Sequence, residues 1–242
     1  MNLGEIDHAL AAVERAGVNL QVGFNRRFDS NFSRVRRAVE SGEIGTPHLL
    51  HIISRDPIPL SPDYFLGSSG IFLDTTIHDF DMARFLLGSE VREVYVVAAR
   101  WLDPGLMPPG ELDTAIVLLQ FENGAFGTID NSRHAAYGYD QRVEVFGGKG
   151  AIRTDNNYPN NALVSTAENV HRDLPLYFFL ERYAESFVTE MKAFIESAQN
   201  NKRPPVTGAD GRASVVLALA AQKSFEEKRP VRLSEVEDKI AI

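Results

Sequence analysis

The spacing of apolar residues predicts a helix followed by a strand at the start of the chain. From Leu3 to Val13 apolar residues recur at intervals of three and four, which is the period of one helix face. Gly17 follows, where a left-handed C-terminal cap is expected. From 18 to 24 apolar and polar residues alternate, as in a half-buried strand. Residues 1–24 are therefore interpreted as one helix–strand unit.

The next part of the chain is predicted to hold two helices on either side of a strand. Asp29 or Ser30 can cap a helix that ends at Ser41-Gly42, and residues 48–54 read as a strand. Three prolines between 56 and 62 predict an ordered loop. From Ile71 to Leu87 the apolar residues are dense and helically spaced, so we expect a largely buried helix that ends at Gly88.

Short β-branched runs replace the helical pattern in the middle of the chain. Turn signals separate them: Asn123-Gly124 has the chemistry of a two-residue hairpin, and 147–150 reads as a second tight connection. Hairpins join antiparallel neighbours, so a meander-like sheet is predicted. The candidate strands are Val91–Trp101, Asp113–Phe121, Ala125–Ser132, Tyr139–Gly147 and Ala151–Thr154.

The chain ends in two predicted helices, over 177–198 and from about 208 to 227. This order of elements predicts an α+β fold with an open, predominantly antiparallel sheet and helices on one face. Both alternating sets of side chains are apolar in the run Val94-Tyr95-Val96-Val97. A second apolar sheet face needs a cover, so we expect a homo-oligomer, a dimer or a tetramer, assembled through that face.

Composition excludes several classes of function. The 242 residues carry 25 Lys and Arg against 33 Asp and Glu, a net charge of −8, which opposes a nucleic-acid partner. The absence of cysteine removes disulfides, thiolate metal sites and a cysteine nucleophile. The longest apolar stretch, Val215–Ala221, is too short to span a bilayer. With no membrane span or signal peptide in these residues, we expect a cytoplasmic protein.

The most informative stretch for chemistry runs from Asp74 to Asp81. On a helix, Asp74 and His78 are four residues apart and share a face. A carboxylate beside an imidazole can act as a general base near neutral pH. The same spacing is also common in plain helix-stabilising contacts. A metal site from Asp74, His78 and Asp81 is a third interpretation, which the lack of a second histidine at ligand spacing disfavours.

Three further clusters could belong to a ligand site. Arg26 and its neighbours follow the first predicted strand, at the edge where ligands bind in α/β sheets. They could bind a polyol or an anion, or form an exposed charge cluster before a helix. The run Ser54-Arg55-Asp56-Pro57 has the same ambiguity. In 137–140, one tyrosine could point its hydroxyl into a cleft, although tyrosines in sheets more often serve packing.

Taken together, these motifs resemble those of the Gfo/Idh/MocA oxidoreductases. The similarity lies in the order and spacing of 21–29, 74–81, 137–140 and 147–150, and it extends to 207–211 at the last long helix. Within the family, the motifs are most similar to those of enzymes that act on inositol. The resemblance implies NAD- or NADP-dependent oxidation of a secondary alcohol on a cyclic polyol or sugar. It also implies a subunit that joins a Rossmann domain to an α+β domain.

The resemblance also assigns roles to individual residues. His78 matches the proton-accepting base, and Asp74 matches its partner, which also contacts the substrate. The positions that match the wall of the substrate pocket are Thr75, Arg26, Asp56 and Tyr137.

Two features of the sequence limit this transfer. The 242 residues contain no G-x-G-x-x-G pattern and no lysine before Lys149, so the family's cofactor cradle and catalytic lysine are not found in them. We therefore expect residues 1–24 to be the remnant of a Rossmann domain and residues 25–242 to form a substrate-binding and oligomerisation domain. On this view the chain binds neither cofactor nor metal by itself and is inactive alone.

The second feature concerns the substrate. The inositol enzymes read His-Arg-Asn-Pro where this chain reads Ser54-Arg55-Asp56-Pro57, which leaves the particular polyol open. Two other functions are also compatible with the residues. One is a non-catalytic polyol-binding or scaffold domain, and the other is a metal-dependent lyase or isomerase that uses the same Asp74 and His78.

Overall fold

The computed structural model describes residues 2–57, 69–102, 107–108 and 110–237. Most of the predicted proline loop, from 58 onward, lies outside these residues. The helices are α1 Leu3–Ala16, α2 Ser30–Glu40, α3 Ile71–Asp74, α4 Thr76–Leu87, α5 Phe179–Arg182, α6 Ala184–Gln199, α7 Gly208–Glu227 and α8 Ser234–Glu237, with a 3₁₀ turn at Asn25–Phe28. The strands are β1 Pro47–Arg55, β2 Val91–Ala99, β3 Thr114–Phe121, β4 Phe126–Ser132, β5 Asp140–Gly147, β6 Gly150–Arg153, β7 Val164–Ser165, β8 Val170–His171 and β9 Val231–Arg232.

Seven strands form one open sheet in the order β6-β5-β1-β4-β3-β2-β9. All neighbouring pairs are antiparallel except β1 and β4, which run parallel. The predicted open, predominantly antiparallel sheet is confirmed, whereas the meander is wrong in one respect. The strand β1 lies between β4 and β5, because the connection over 133–139 is long enough to pass over it rather than turn as a hairpin.

One face of the sheet is covered by helices and forms the core. On β2, Val94 and Val96 are buried, while Val97 on the opposite face is 59% exposed, as the alternation of side chains along a strand requires. The long helix α7 packs on β2 and on α4, and Leu217, Ala218 and Ala221 are fully buried there. The fold class predicted from the sequence, with helices on one sheet face, is confirmed.

Capping residues mark the beginnings and the ends of the helices. The Asp29 side chain accepts hydrogen bonds from the N–H groups of Asn31 and Phe32 at the start of α2. Gly17 and Gly88 take the left-handed conformation after α1 and α4, with φ of 64° and 61°. At α7, Thr207 and Asp210 form a reciprocal capping box.

Two segments differ from their predicted form. Residues 18–24 form no ladder with a described strand, and Val18 is 59% exposed, because a strand needs a neighbour for its backbone groups. The backbone of this segment is joined to the rest of the fold by the N–H of Val22, which donates to the carbonyl of Val206. The helix predicted over 71–87 is interrupted at Thr75.

Among the described helices, none has the length and apolarity needed to cross a membrane.

We expect Gly147→Ala to destabilise the fold, because a Cβ atom there would lie 2.5 Å from the Ile44 carbonyl oxygen and 2.8 Å from that of Thr46. Both obstacles are backbone atoms, so a loss of about 1–3 kcal/mol in the free energy of unfolding is expected. Urea unfolding measures it. Gly148→Ala is the matched control, since its Cβ would lie 3.7 Å from the His48 ring; equal losses in the two variants would contradict this account.

Candidate active site

A cavity of about 340 Å³ opens where the 3₁₀ turn, the α3–α4 junction and the end of β1 meet. Its wall combines two acids, an arginine and a histidine with five aromatic rings from the region before β5 and from 178–187. The lining residues are Gly23, Asn25, Arg26, Asp56, Asp74, Thr75, His78, Tyr139, Phe178, Phe179, Tyr183 and Phe187. The structure thus brings together five of the six residues that the sequence singled out, with Tyr137 the exception.

The interruption between α3 and α4 shapes one wall of the cavity. Thr75 has φ −101° and ψ −59°, and the His78 N–H donates to the Thr75 carbonyl at 3.4 Å. The chain therefore makes a tighter turn here than in a regular α-helix. Asp74, Thr75 and His78 all reach the cavity, while Asp79 on the next position is fully buried on the other side.

Asp74 is held by an arginine that sequence reasoning did not identify. Nη1 of Arg133 donates to Oδ2 of Asp74 at 3.0 Å, and the Arg133 side chain is 2% exposed. Arg133 follows β4 directly and is 59 residues away from Asp74. Since no local pattern links the two positions, only the pairing of β4 with its neighbours places them together.

His78 is a neutral imidazole in the wall of the cavity. Its ring packs edge-to-face on Phe24, with the centroids 5.8 Å apart. Nδ1 is buried and has no hydrogen-bond partner among the described residues. Burial, with a smaller contribution from the positive charge of Arg26, lowers the pKa of His78 to about 3. The ring is therefore unprotonated at neutral pH, and its pairing with Asp74 as a general base stays a prediction.

Asp56 is the second acid of the cavity wall and has an unusual titration. Burial raises the pKa of Asp56 to about 6. The charges of Arg26 and Arg133 lower that pKa, and those of Asp79 and Asp74 raise it. Asp56 is thus an ionised acceptor at neutral pH that becomes protonated in mildly acidic solution.

Arg26 is anchored from behind by a buried ion pair. Its guanidinium donates to Asp79, which also accepts a hydrogen bond from the Asn131 amide at 2.8 Å. The guanidinium carbon lies 5.7 Å from the centre of the Tyr183 ring. Arg26 therefore joins the cavity wall to the core, so it is both a candidate ligand group and a structural one.

Asp81 does not join the cavity. Its carboxylate accepts two hydrogen bonds from Arg27, at 2.8 and 2.6 Å, and Arg27 also binds Asp210 on α7. The metal site considered from Asp74, His78 and Asp81 is thus not assembled. In the part of the chain that the structure describes, no group of three or more acidic, histidine or cysteine side chains could hold a metal ion.

Tyr137 is not among the residues that line this cavity, so its role in substrate binding stays a prediction. Its hydroxyl donates to Asp140 at 2.6 Å and accepts from Arg55 at 2.8 Å, and the residue is 43% exposed. Tyr139 lines the cavity instead and is 4% exposed. Gly138, with φ 117°, lies between the two tyrosines and lets the chain turn before β5 begins.

Comparison with known proteins identifies relatives of the chain. The model of the GFO/IDH/MocA C-terminal domain matches residues 32–153. An uncharacterized oxidoreductase of Bacillus subtilis is 52% identical, and the alignment covers 98% of this chain and 69% of that protein. The myo-inositol 2-dehydrogenase of Thermotoga maritima is 49% identical, with 98% and 71% covered.

A solved structure is similar as well. Scyllo-inositol dehydrogenase from Lactobacillus casei, crystallised with NAD(H) and scyllo-inositol, superimposes with a TM-score of 0.87 at 31% identity. The match covers 97% of this chain and 71% of that one.

We expect the stability gained by Asp56→Asn to depend on pH. The pKa of Asp56 is raised from 3.8 to about 6 in the folded state. The parent protein therefore loses folding stability as the pH rises from 4 to above 6 and Asp56 ionises, whereas asparagine does not ionise and avoids this loss. The free energy of unfolding of the variant relative to the parent should therefore rise by about 3 kcal/mol from pH 4 to pH 8, at 1.36 kcal/mol per pKa unit.

Chemical denaturation at several pH values measures this difference. Asp155→Asn, which removes an exposed carboxylate, controls for the change in net charge. A difference for Asp56→Asn that is the same at pH 4 and pH 8 would contradict the burial of an ionisable Asp56.

Proposed function

The chain belongs to the GFO/IDH/MocA family, and we propose that it carries the substrate site and the proton acceptor for NAD-dependent oxidation of a secondary alcohol on a cyclic polyol of the inositol type. One observation carries this proposal: a single neutral imidazole shares a cavity wall with two carboxylates and a guanidinium. Such a set can bind several hydroxyls and remove a proton from one of them.

The polar groups of the cavity suit a polyhydroxylated ring. The carboxylates of Asp56 and Asp74 accept hydrogen bonds from hydroxyls, the Arg26 guanidinium donates them, and the Thr75 hydroxyl can do either. The aromatic rings of Phe179 and Phe187 offer apolar contact to the C–H face of the ring. A volume of about 340 Å³ is in the range of small-molecule sites.

We propose that Nε2 of His78 accepts the proton from the substrate, because Nδ1 is buried without a partner among the described residues. In the oxidation, the O–H bond of the alcohol breaks and its proton goes to the imidazole. A bound NAD would supply the acceptor for the hydride of the C–H bond, which would take both bonding electrons. The positive charge that His78 gains is countered by the carboxylates of Asp56 and Asp74 in the same wall.

The residues described do not fit NAD by themselves. The 242 residues contain no G-x-G-x-x-G turn, which is how a dinucleotide-binding domain cradles the diphosphate. We therefore assign no contact with the cofactor to this chain and propose that the isolated 242 residues do not turn over.

An exposed apolar surface beside the cavity is suited to receive a nucleotide-binding domain. On α6, Val188, Met191 and Ile195 are 54, 58 and 47% exposed, and Val18 and Leu20 of the neighbouring segment are 59 and 37% exposed. The Gln21 side chain donates to the Glu190 carbonyl, which ties this segment to α6. We propose that residues 2–24 and α6 pack on the domain that holds NAD, whereas residues from 25 onward form the substrate site and the sheet.

We expect direct binding and reconstituted turnover to test the function. Calorimetry should show the chain binding myo- or scyllo-inositol with a dissociation constant on the order of 0.1–10 mM, typical of small polar ligands, and NAD with myo-inositol should give no reduced nicotinamide. Joined to the nucleotide-binding domain of a homologous inositol dehydrogenase, the chain should oxidise inositol. His78→Ala should then lower kcat by about 10²–10⁴-fold, the range for general-base removal.

Three results would refute this proposal. Undiminished turnover in His78→Ala would show that His78 is not the proton acceptor. Inositol binding without turnover in the fused protein would favour a non-catalytic polyol-binding domain, and a strong effect of a chelator would favour the metal-dependent alternative. His134→Ala is the control, because His134 is exposed and lies outside the cavity lining.

We further propose that copies of the chain assemble through the open sheet face, where Ile116, Leu118 and Phe126 are 42, 47 and 54% exposed. Leu118→Asp should shift the mass measured by light scattering from an oligomer to a monomer, since a carboxylate buried in an apolar interface is costly. Val188→Asp, a comparably exposed apolar residue on α6, is the control for introducing a charge. A parent protein that is monomeric at micromolar concentration would contradict the proposal.

A further inference from the structure

Arg133 occupies an unusual position for a residue in a connection between strands. It follows β4 directly, yet its side chain is 2% exposed. It does not line the cavity, but Nη1 donates to the Asp74 carboxylate, which does. A buried arginine directly behind a substrate-facing carboxylate can hold that carboxylate in one orientation.

The backbone around Arg133 is hydrogen-bonded to two neighbouring segments. The Arg133 N–H donates to the Asp113 carbonyl at 2.8 Å, and the Ala135 N–H donates to the Asp56 carbonyl at 2.6 Å. The Asp56 N–H in turn donates to the Ser132 carbonyl at 2.8 Å. These bonds fix the main chain of Arg133 against the end of β1 and the main chain of Asp56, while the Arg133 guanidinium contacts Asp74.

The charge of Arg133 also acts on Asp56. The groups that influence Asp56 are Arg26 from the 3₁₀ turn, Arg133 from the β4–β5 connection, Asp74 from α3 and Asp79 from α4. Arg26 lowers the pKa of Asp56 most and Arg133 next, and Arg133 also donates a hydrogen bond to Asp74.

We propose that Arg133 is a positioning residue that orients the Asp74 carboxylate and places a positive charge beside Asp56, so that both acids accept hydrogen bonds from substrate hydroxyls. This inference rests on the function proposed above. It gives the two carboxylates of the cavity one task, which is to bind hydroxyl groups as fixed acceptors. A protonated acid would donate a hydrogen bond and would compete with the substrate proton.

Titration of Asp56 tests the electrostatic part without any substrate. In the full chain labelled with ¹³C at the aspartate carboxyls, the titration midpoint of Asp56 should be higher in Arg133→Met than the value of about 6 in the parent, because an attractive charge is lost. It should stay near 6 in Arg133→Lys, which keeps the charge. Arg34→Met, which removes an exposed arginine that is paired with Glu43 and does not line the cavity, should leave it near 6.

Inositol binding tests the orienting part. Calorimetry from pH 5 to pH 9 should show about tenfold weaker binding of myo-inositol in Arg133→Met at pH 8, and an intermediate loss in Arg133→Lys, since a single ammonium fixes a carboxylate less firmly than a guanidinium. The acidic limb of binding should follow the Asp56 midpoint and move up with it in Arg133→Met. A general loss of packing would weaken binding without moving that limb.

The outcomes for Arg133 and for the proposed function are distinguishable. An unchanged Asp56 midpoint in folded Arg133→Met overturns the inference, as does unchanged affinity at pH 8. If Arg133→Met does not fold, Arg133→Gln replaces it under the same criteria. Failure of the parent to bind any inositol would refute the proposed function, while the carboxyl titration would still decide the electrostatic role of Arg133.

Discussion

The buried contact between Arg26 and Asp79 is the constraint on which the rest of this structure depends. It joins the 3₁₀ turn to α4, and Asn131 extends it to the sheet by donating to Asp79 and to the Ser54 carbonyl. Leaving either ion of a buried pair without its partner is costly, typically 3–5 kcal/mol. The turn, the helix and the two central parallel strands are therefore fixed relative to one another, and the cavity forms at the point where they meet.

This constraint explains why α4 carries so many charged groups although it is buried. Asp79 binds Arg26 and Asp81 binds Arg27, and both arginines lie in the 3₁₀ turn. Arg27 also binds Asp210 on α7. Buried charges need such partners. Asp79 and Asp81 of α4 thus anchor the core, whereas Asp74, which lies on α3 before the break at Thr75, faces the cavity.

Two surfaces of the molecule expose apolar side chains in a pattern that a lone domain does not need. One is the open face of the sheet, and the other is the face of α6 together with Val18 and Leu20. Contiguous apolar surface of this kind marks interaction sites. The two surfaces lie on different elements, so the proposed assembly of copies and the proposed packing of a cofactor domain would involve different residues.

The sequence by itself determined the local elements of this protein and one wall of its site. Periodicity located the helices and the five main strands, while Gly17, Gly88 and Asn123-Gly124 marked ends and a turn, because these rules act over a few neighbouring residues. Helical spacing also brought Asp74 and His78 to the same wall. Residues 18–24 show the limit of such rules, since alternation indicates a strand without supplying the neighbour it requires.

Only the tertiary structure decided the rest, because it depends on contacts between residues far apart in the chain. The insertion of β1 between β4 and β5 brings Asp56 beside the connection that holds Arg133, and no local pattern encodes that register. The turn at Gly138 selects Tyr139 over Tyr137 for the cavity. The low pKa of His78 arises from burial and from Arg26, because desolvation is set by everything that packs around a side chain and not by its neighbours in sequence.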